Sequence, residues 1–276
     1  MKYVRIGIIV MFLAAAVVFT YNWYQDKQAI DKTYPVIQVG SEQIDVSVKS
    51  AQEELLKDVI AKDEKDGDLT KSIIIESVSK FTDKKNHICN VTYAVADSDN
   101  NVTKKTRRIR FTDYESPKFT LSQQLCFEVG SEMSVADVIG ATDDYDGDIS
   151  RNVKILSSTV SNRTAGEYTI TAQVTNSLGD TAKIKAAVVI RQENNLNPVI
   201  TLKENIVYLK VGDKFDEKSY IKSVKDYKGN SISNDKVTVI SSSVDTKKAG
   251  CYTVQYAVGS EQDNAGSTYL AVVVED

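Results

Sequence analysis

Two acidic stretches carry the densest chemistry in this chain of 276 residues. Ala61 to Thr70 reads A-K-D-E-K-D-G-D-L-T, and Ala141 to Ser150, 80 positions further on, reads A-T-D-D-Y-D-G-D-I-S. Calcium takes roughly six to eight oxygen ligands. Asp63, Asp66 and Asp68 about Gly67, and Asp143, Asp146 and Asp148 about Gly147, each put three carboxylates around one tight bend, so a calcium site on each loop is one expectation. A plain turn is the other, because Asp side chains bond the amides that follow them and Gly supplies the bend. A worn third version, Val224 to Ser233, keeps Asp226 but has Gly229 and Ser231 in place of the second and third Asp, and no calcium is expected there.

The other reactive side chains exclude more than they offer. A single histidine, His87, rules out a multi-histidine metal site or a His-dependent triad within the chain, and is expected to be solvated. Cys89, Cys126 and Cys251 lie far apart, so no local disulfide is expected. Cys89 reads as a small inward apolar residue. Cys126 and Cys251, next to Phe127 and Tyr252, are expected to face outward. The run Thr103 to Arg110, T-K-K-T-R-R-I-R, concentrates five cations. Lys104, Arg108 and Arg110 share one face opposite Ile109 and Phe111, which suits either a solvated strand that resists pairing or contact with anionic lipid or wall polymer. The net charge of -4 argues against nucleic acid as a partner. Paired carboxylates are present, but glycosidase chemistry needs a cleft, which small β units do not supply. No catalytic residue and no organic cofactor is expected, and the chain reads as a non-enzyme.

Three repeats must position these residues. The only prolines, Pro35, Pro117 and Pro198, are 82 and 81 positions apart, and each opens a unit with a short apolar run. In the middle unit Tyr168, Ile170, Ala172 and Val174 alternate with polar residues, as do Ala182, Ile184, Ala186, Val188 and Ile190, with S-L-G-D between them. Period two around a Gly-containing turn predicts a hairpin. Further strands are expected at Lys118–Leu121, Leu125–Val129 and Val153–Leu156, with a short helix over Ser134–Ile139. The fold class expected is all-β: three tandem sandwiches spanning 35–112, 117–191 and 198–276, joined by short polar links and set out as a rod of three beads.

The opening prolines, G-x-x-[FM] after the second strand, D-x-x-D-G-D-[IL] mid-unit and A-G-x-Y-T-[IV] at the penultimate strand resemble a family of bacterial Ig-like domains, also known from a pesticidal crystal protein. The first unit departs from it, with Asn86-His87 for Ala-Gly and Cys89 for Tyr. The resemblance implies an Ig-like sandwich and a surface location, with spacing and adhesion as the associated roles.

Ahead of the repeats, Lys2 and Arg5 precede an uncharged run, Ile6 to Tyr24, whose 19 residues form a helix of roughly 28 Å, one hydrocarbon core. Positive flank and terminal aromatics orient residues 1–5 in the cytoplasm, 6–24 as a signal anchor and 25–34 as a stalk, with the repeats outside the cell. A cleaved signal peptide is the rival reading. The function expected is a membrane-anchored, extracellular spacer or adhesion module with a wall polymer or a protein as partner. The alternative is a glycan-binding accessory to a wall-modifying system, for which Tyr208, Tyr220 and Tyr227 would have to form an aromatic platform.

Overall fold

The computed structural model describes residues 2–29, 32–50, 52–132, 134–192, 196–259 and 265–276. Of the expected cytoplasmic tip, stalk and second polar link, Met1, residues 30–31 and residues 193–195 lie outside the described residues. Helix α1 (Lys2–Ala29) contains the apolar span Ile6–Tyr24, with mean hydropathy 2.0 and none of it buried against protein. The helix continues into the segment expected as stalk, since D-K-Q-A holds no helix breaker.

Beyond the helix the chain is β, and it falls into two compact units, Met1–Thr112 and Asp113–Asp276. The first unit carries one sandwich: β1 (Val36–Val39), β2 (Gln43–Val46), the single helical turn α2 (Gln52–Leu55), β3 (Val59–Asp63), β4 (Gly67–Asp68), β5 (Ile74–Val78), β6 (Ile88–Ala96) and β7 (Val102–Phe111). Strands β1-β3-β4 form one sheet and β2-β7-β6-β5 the other. The opening segment thus divides between the sheets, and β2 runs parallel to β7. Alternation along β6 and β7 turns Cys89, Val91, Tyr93 and Ile109 inward with no exposed area, as period two requires.

The second unit contains two more copies of this plan. In the second copy β8 (Lys118–Leu121), β9 (Cys126–Glu128), the turn α3 (Val135–Val138), β10 (Ile139–Asp143), β11 (Gly147–Asp148), β12 (Lys154–Ser158), β13 (Gly166–Thr175) and β14 (Thr181–Arg191) follow in order. The third has β15 (Val199–Leu202), β16 (Ile206–Lys210), β17 (Ile221–Lys225), β18 (Ser231–Ile232), β19 (Thr238–Ser242), β20 (Gly250–Val258) and β21 (Gly266–Glu275). Both keep the three-plus-four arrangement, with the second strand parallel to the last. The fold is therefore three tandem Ig-like β-sandwiches behind one N-terminal apolar helix. Each pair of sheets closes on its own apolar core.

Within the second unit the two sandwiches share an interface, so this pair is not two free beads. Ile206, Cys251 and Val273 of the third copy pack on the core of the second. The Tyr208 hydroxyl accepts from the Phe119 amide at 2.6 Å and donates to the Phe119 carbonyl at 3.2 Å, completing the β8 edge as a neighbouring strand would. Asn205 Nδ2 donates to Leu121 O and Arg191 to Ser267 O. At Gly266 a Cβ would lie 1.9 Å from the Pro198 carbonyl oxygen, so only glycine fits where the last strand begins.

Three expectations need correction. Cys126 and Cys251 are half-buried, Cys251 because it packs on the core of the neighbouring sandwich; burial raises the Cys126 thiol pKa. His87 is half-buried too, its ring 5.9 Å from that of Phe81, and it holds a left-handed backbone with φ 53°. Third, the cationic strand is not simply a solvated edge: Arg107 is 1% exposed and donates to Lys57 O at 2.8 Å and Ser41 Oγ at 2.9 Å. It stands in line with Ile109 and Phe111, on the face that alternation assigns to the core.

Candidate functional site

The Asp-Gly-Asp stretches form tight hairpins, β3 to β4 and β10 to β11, in which Asp63 pairs with Gly67 and Asp143 with Gly147. Both glycines have positive φ, 74° and 73°, which explains the residue type at the bend. The first carboxylate folds the loop: Asp63 Oδ1 accepts from the amides of Lys65 and Asp66 at 2.8 and 3.0 Å, and Asp143 Oδ1 from those of Tyr145 and Asp146 at 3.0 and 2.9 Å. The second reaches across to the hairpin between the last two strands. Asp66 accepts from the Ser98 amide at 2.8 Å; Asp146 accepts from the Ser177 amide at 2.6 Å and hydroxyl at 2.7 Å. The third caps the short helical turn that follows, Asp68 accepting from the Thr70 amide and Asp148 from the Ser150 amide, each at 2.9 Å. The hydroxyls of Thr70 and Ser150, then their amides, hold the Asp68 and Asp148 carboxyls below the ordinary carboxylate range.

The six carboxylates named as calcium ligands are thus divided among three different backbone segments in each copy. Among the described residues, no group of three His, Cys, Asp or Glu side chains is placed to hold a metal ion. In the third copy Asp226 Oδ1 still accepts from the Lys228 and Asn230 amides, so the turn survives loss of the other two acids.

Behind the second loop lies a polar network that the sequence reading missed. Asn176, 4% exposed, donates through Nδ2 to Asp143 Oδ2 at 3.0 Å and to the Tyr114 hydroxyl at 2.8 Å. Tyr114 in turn donates to Asp180 Oδ2 at 3.0 Å, and Ser116 donates to the same oxygen at 2.7 Å. Burial first, and the Asp180 and Asp143 carboxylates next, push the Tyr114 phenol well above its usual range, so it stays a donor. The signal was present in two short stretches read only as connections, T-D-Y-E-S before Pro117 and N-S-L-G-D between the last two strands.

In the first copy the same loop meets different partners. Asp97 stands where Asn176 does and is 7% exposed; its Oδ1 accepts from the Asp99 and Asn101 amides and its Oδ2 from Asn101 Nδ2. Asp63 is 9% exposed, and its Oδ2 is buried with no hydrogen-bond donor. Lys65 pairs with Asp99 on the rim.

The remaining candidates are dispersed. Lys104 pairs with Glu76 and Arg110 with Asp45 across the outer face of the four-stranded sheet. Tyr208 sits in the interface described above, Tyr220 stacks on Phe215 at 5.5 Å, and Tyr227 is exposed with the Lys228 ammonium over its ring, so the three tyrosines occupy three different settings. Tyr168 and Tyr252 each donate to the carbonyl four residues earlier, Thr164 and Lys248, which accounts for the tyrosine of the A-G-x-Y motif. Cys89, in the equivalent inward slot, has its thiol pushed up to about 12 by burial and is unsuited to nucleophilic work.

Residues 200–273 match the model of a family described as bacterial surface protein, Ig-like domain. The third sandwich is thus similar to the domain of that family. Across 220 residues, or 78% of the chain, the sequence is 31% identical to pesticidal crystal protein Cry22Aa of Bacillus thuringiensis; the chain spans 29% of that relative's length. Solved structures superpose in part. The M60 catalytic domain with two CBM51 domains of Clostridium perfringens ZmpB matches 90% of this chain and 31% of its own at 15% identity and a TM-score of 0.25. Mouse Cadherin-23 EC22-24 matches 89% and 100% at 15% identity and a TM-score of 0.20. The bacterial Ig-like family is the one that the prolines and the D-G-D and A-G-x-Y motifs resemble.

Proposed function

We propose that this chain is an anchored surface protein whose Ig-like sandwiches, bounded near 112–117 and 191–198, act without catalysis as a spacer and binding module outside the cell. The observation that carries the reading is an apolar helix, Ile6–Tyr24, with no protein packed on it, leading into Ig-like sandwiches of which the third matches the model for bacterial surface Ig-like domains. A helix of that length and composition is stable in a bilayer and costly in water. Each carboxylate of the Asp-Gly-Asp corners holds a loop through at least one of its oxygens, which supports a scaffold. A wall polymer or a surface protein is the partner proposed.

Protease added to intact cells tests location: digestion of the sandwiches with the helix left in the membrane fraction supports the reading. Release of a soluble form beginning near Val17 would replace the anchor with a signal peptide. Co-sedimentation of the full chain with purified wall glycan then tests the partner class. Binding there, unaffected by changing Tyr227, would place recognition on another surface.

A further inference from the structure

We propose that the first copy binds a hard divalent cation of the calcium type between Asp63 and Asp97, the counterparts of the Asp143 and Asn176 side chains that a hydrogen bond joins in the second copy. The argument rests on equivalence of the two corners bond by bond. In both, the hairpin after the sixth strand of the copy closes with the same pair of contacts: the Asp97 amide donates to Asn101 O at 3.2 Å, and the Asn176 amide to Asp180 O at 3.0 Å. Asn100 and Gly179 share the left-handed conformation, φ 67° and 78°. Asp97 Oδ1 and Asn176 Oδ1 accept from the amides of Asn101 and Asp180, each at 2.8 Å. Ser98 and Ser177 donate their amides to Asp66 and Asp146. With backbone and Oδ1 matched, Asp97 Oδ2 takes the place of Asn176 Nδ2, the atom that donates to Asp143 in the second copy. Asp63, the counterpart of Asp143, is more than nine-tenths buried, and its Oδ2 is the atom left without a donor.

One substitution has therefore turned a donor–acceptor contact into a pair of acceptors, of which Asp97 Oδ2 takes a bond from Asn101 Nδ2 and Asp63 Oδ2 takes none. A buried carboxylate oxygen without a donor is unfavourable, even where the other oxygen of the group is bonded, as Asp63 Oδ1 is to the Lys65 and Asp66 amides. Lys65, the cation within this loop, is engaged with Asp99, and the buried Arg107 with Lys57 O and Ser41 Oγ. The oxygen-only environment selects a hard cation over zinc or copper. With two carboxylates from the protein and water completing the shell, the affinity belongs to the weak extracellular class, on the order of 10⁻⁴ to 10⁻³ M.

Hydrogen exchange of the full chain in detergent micelles, read in peptides covering 59–68 and 95–102, tests this directly. At calcium tenfold above its dissociation constant, exchange by local opening there should slow roughly tenfold relative to chelator. Asp97→Asn should abolish that response and already exchange slowly in chelator, because its amide supplies the donor that Asp63 lacks. This variant copies the second sandwich, whereas Asp63→Asn would also remove the loop caps. Equal calcium slowing in Asp97→Asn, or none in the parent with calcium or magnesium, overturns the proposal.

Discussion

The corners around Asp63 and Asp143 share a loop skeleton and differ in what stands behind it. The three backbone-capping duties of each Asp-Gly-Asp loop are alike to within tenths of an ångström, as the Asp68–Thr70 and Asp148–Ser150 contacts at 2.9 Å illustrate. The layer beneath has diverged: Asn176, Tyr114 and Asp180 form a closed donor–acceptor chain in the second copy, whereas Asp97 and Asn101 in the first leave Asp63 Oδ2 without a donor. A motif can thus be retained for its local hydrogen bonds while the chemistry of the site around it changes, so the motif alone does not say what occupies the corner.

The sharpest way to break this comparison is to import the first arrangement into the second copy. Asn176→Asp would set a carboxylate against Asp143 Oδ2 and deprive both that oxygen and Tyr114 of their amide donor. A loss of about 3 kcal/mol is expected in urea unfolding of the full chain, read on the Asp113–Asp276 unit. A loss below about 0.5 kcal/mol would mean that the buried amide matters little. Tyr114→Phe keeps the ring and removes only the hydroxyl between Asn176 and Asp180; about 1 to 2 kcal/mol should go, with the first unit unaffected. Ser177→Ala deletes the hydroxyl bond to Asp146 but leaves the amide bond, and should cost about 0.5 to 1 kcal/mol in the same measurement.

The smallest effect concerns what the corners share. Asp68 and Asp148 have folded pKa values below the ordinary 3.8, chiefly through the hydroxyls of Thr70 and Ser150. Their contribution is complete above the ordinary value, where folded and unfolded carboxyls are both ionised, and is lost as pH falls through the lower folded values. Unfolding midpoints should therefore drop between pH 5 and pH 3 in both units. Asp148→Asn should lessen that drop in the second unit only.

Much of the architecture was legible because it rests on local rules. Proline placement marks the strand starts, and the alternation of Ile170, Ala172 and Val174 fixes which face is buried. The corners were legible only as turns. Whether Asp146 faces a cation or the Ser177 amide depends on a hairpin 31 positions away, and no spacing within the loop reports it. Arg107 was open to the same alternation that placed Ile109, but its charge argued for the surface; the Lys57 carbonyl and Ser41 hydroxyl that make burial tolerable come from distant loops. Cys251 was expected to face outward, yet a neighbouring sandwich covers it, which sequence alternation within one unit cannot reveal.

The parallel pairing of second and last strands bears on how each sandwich responds to tension. A pull on the chain entering one sandwich and leaving it draws these two strands in opposite directions along their own axes. Their bonds are then loaded together in shear, where an antiparallel hairpin pulled at its open end would unzip one bond at a time. The paired register is five residues long at β16–β21, four at β2–β7 and three at β9–β14. Counted by these bonds alone, the middle sandwich bears the least load, and the third copy's Tyr208, held on the Phe119 backbone, braces it from outside the sheet.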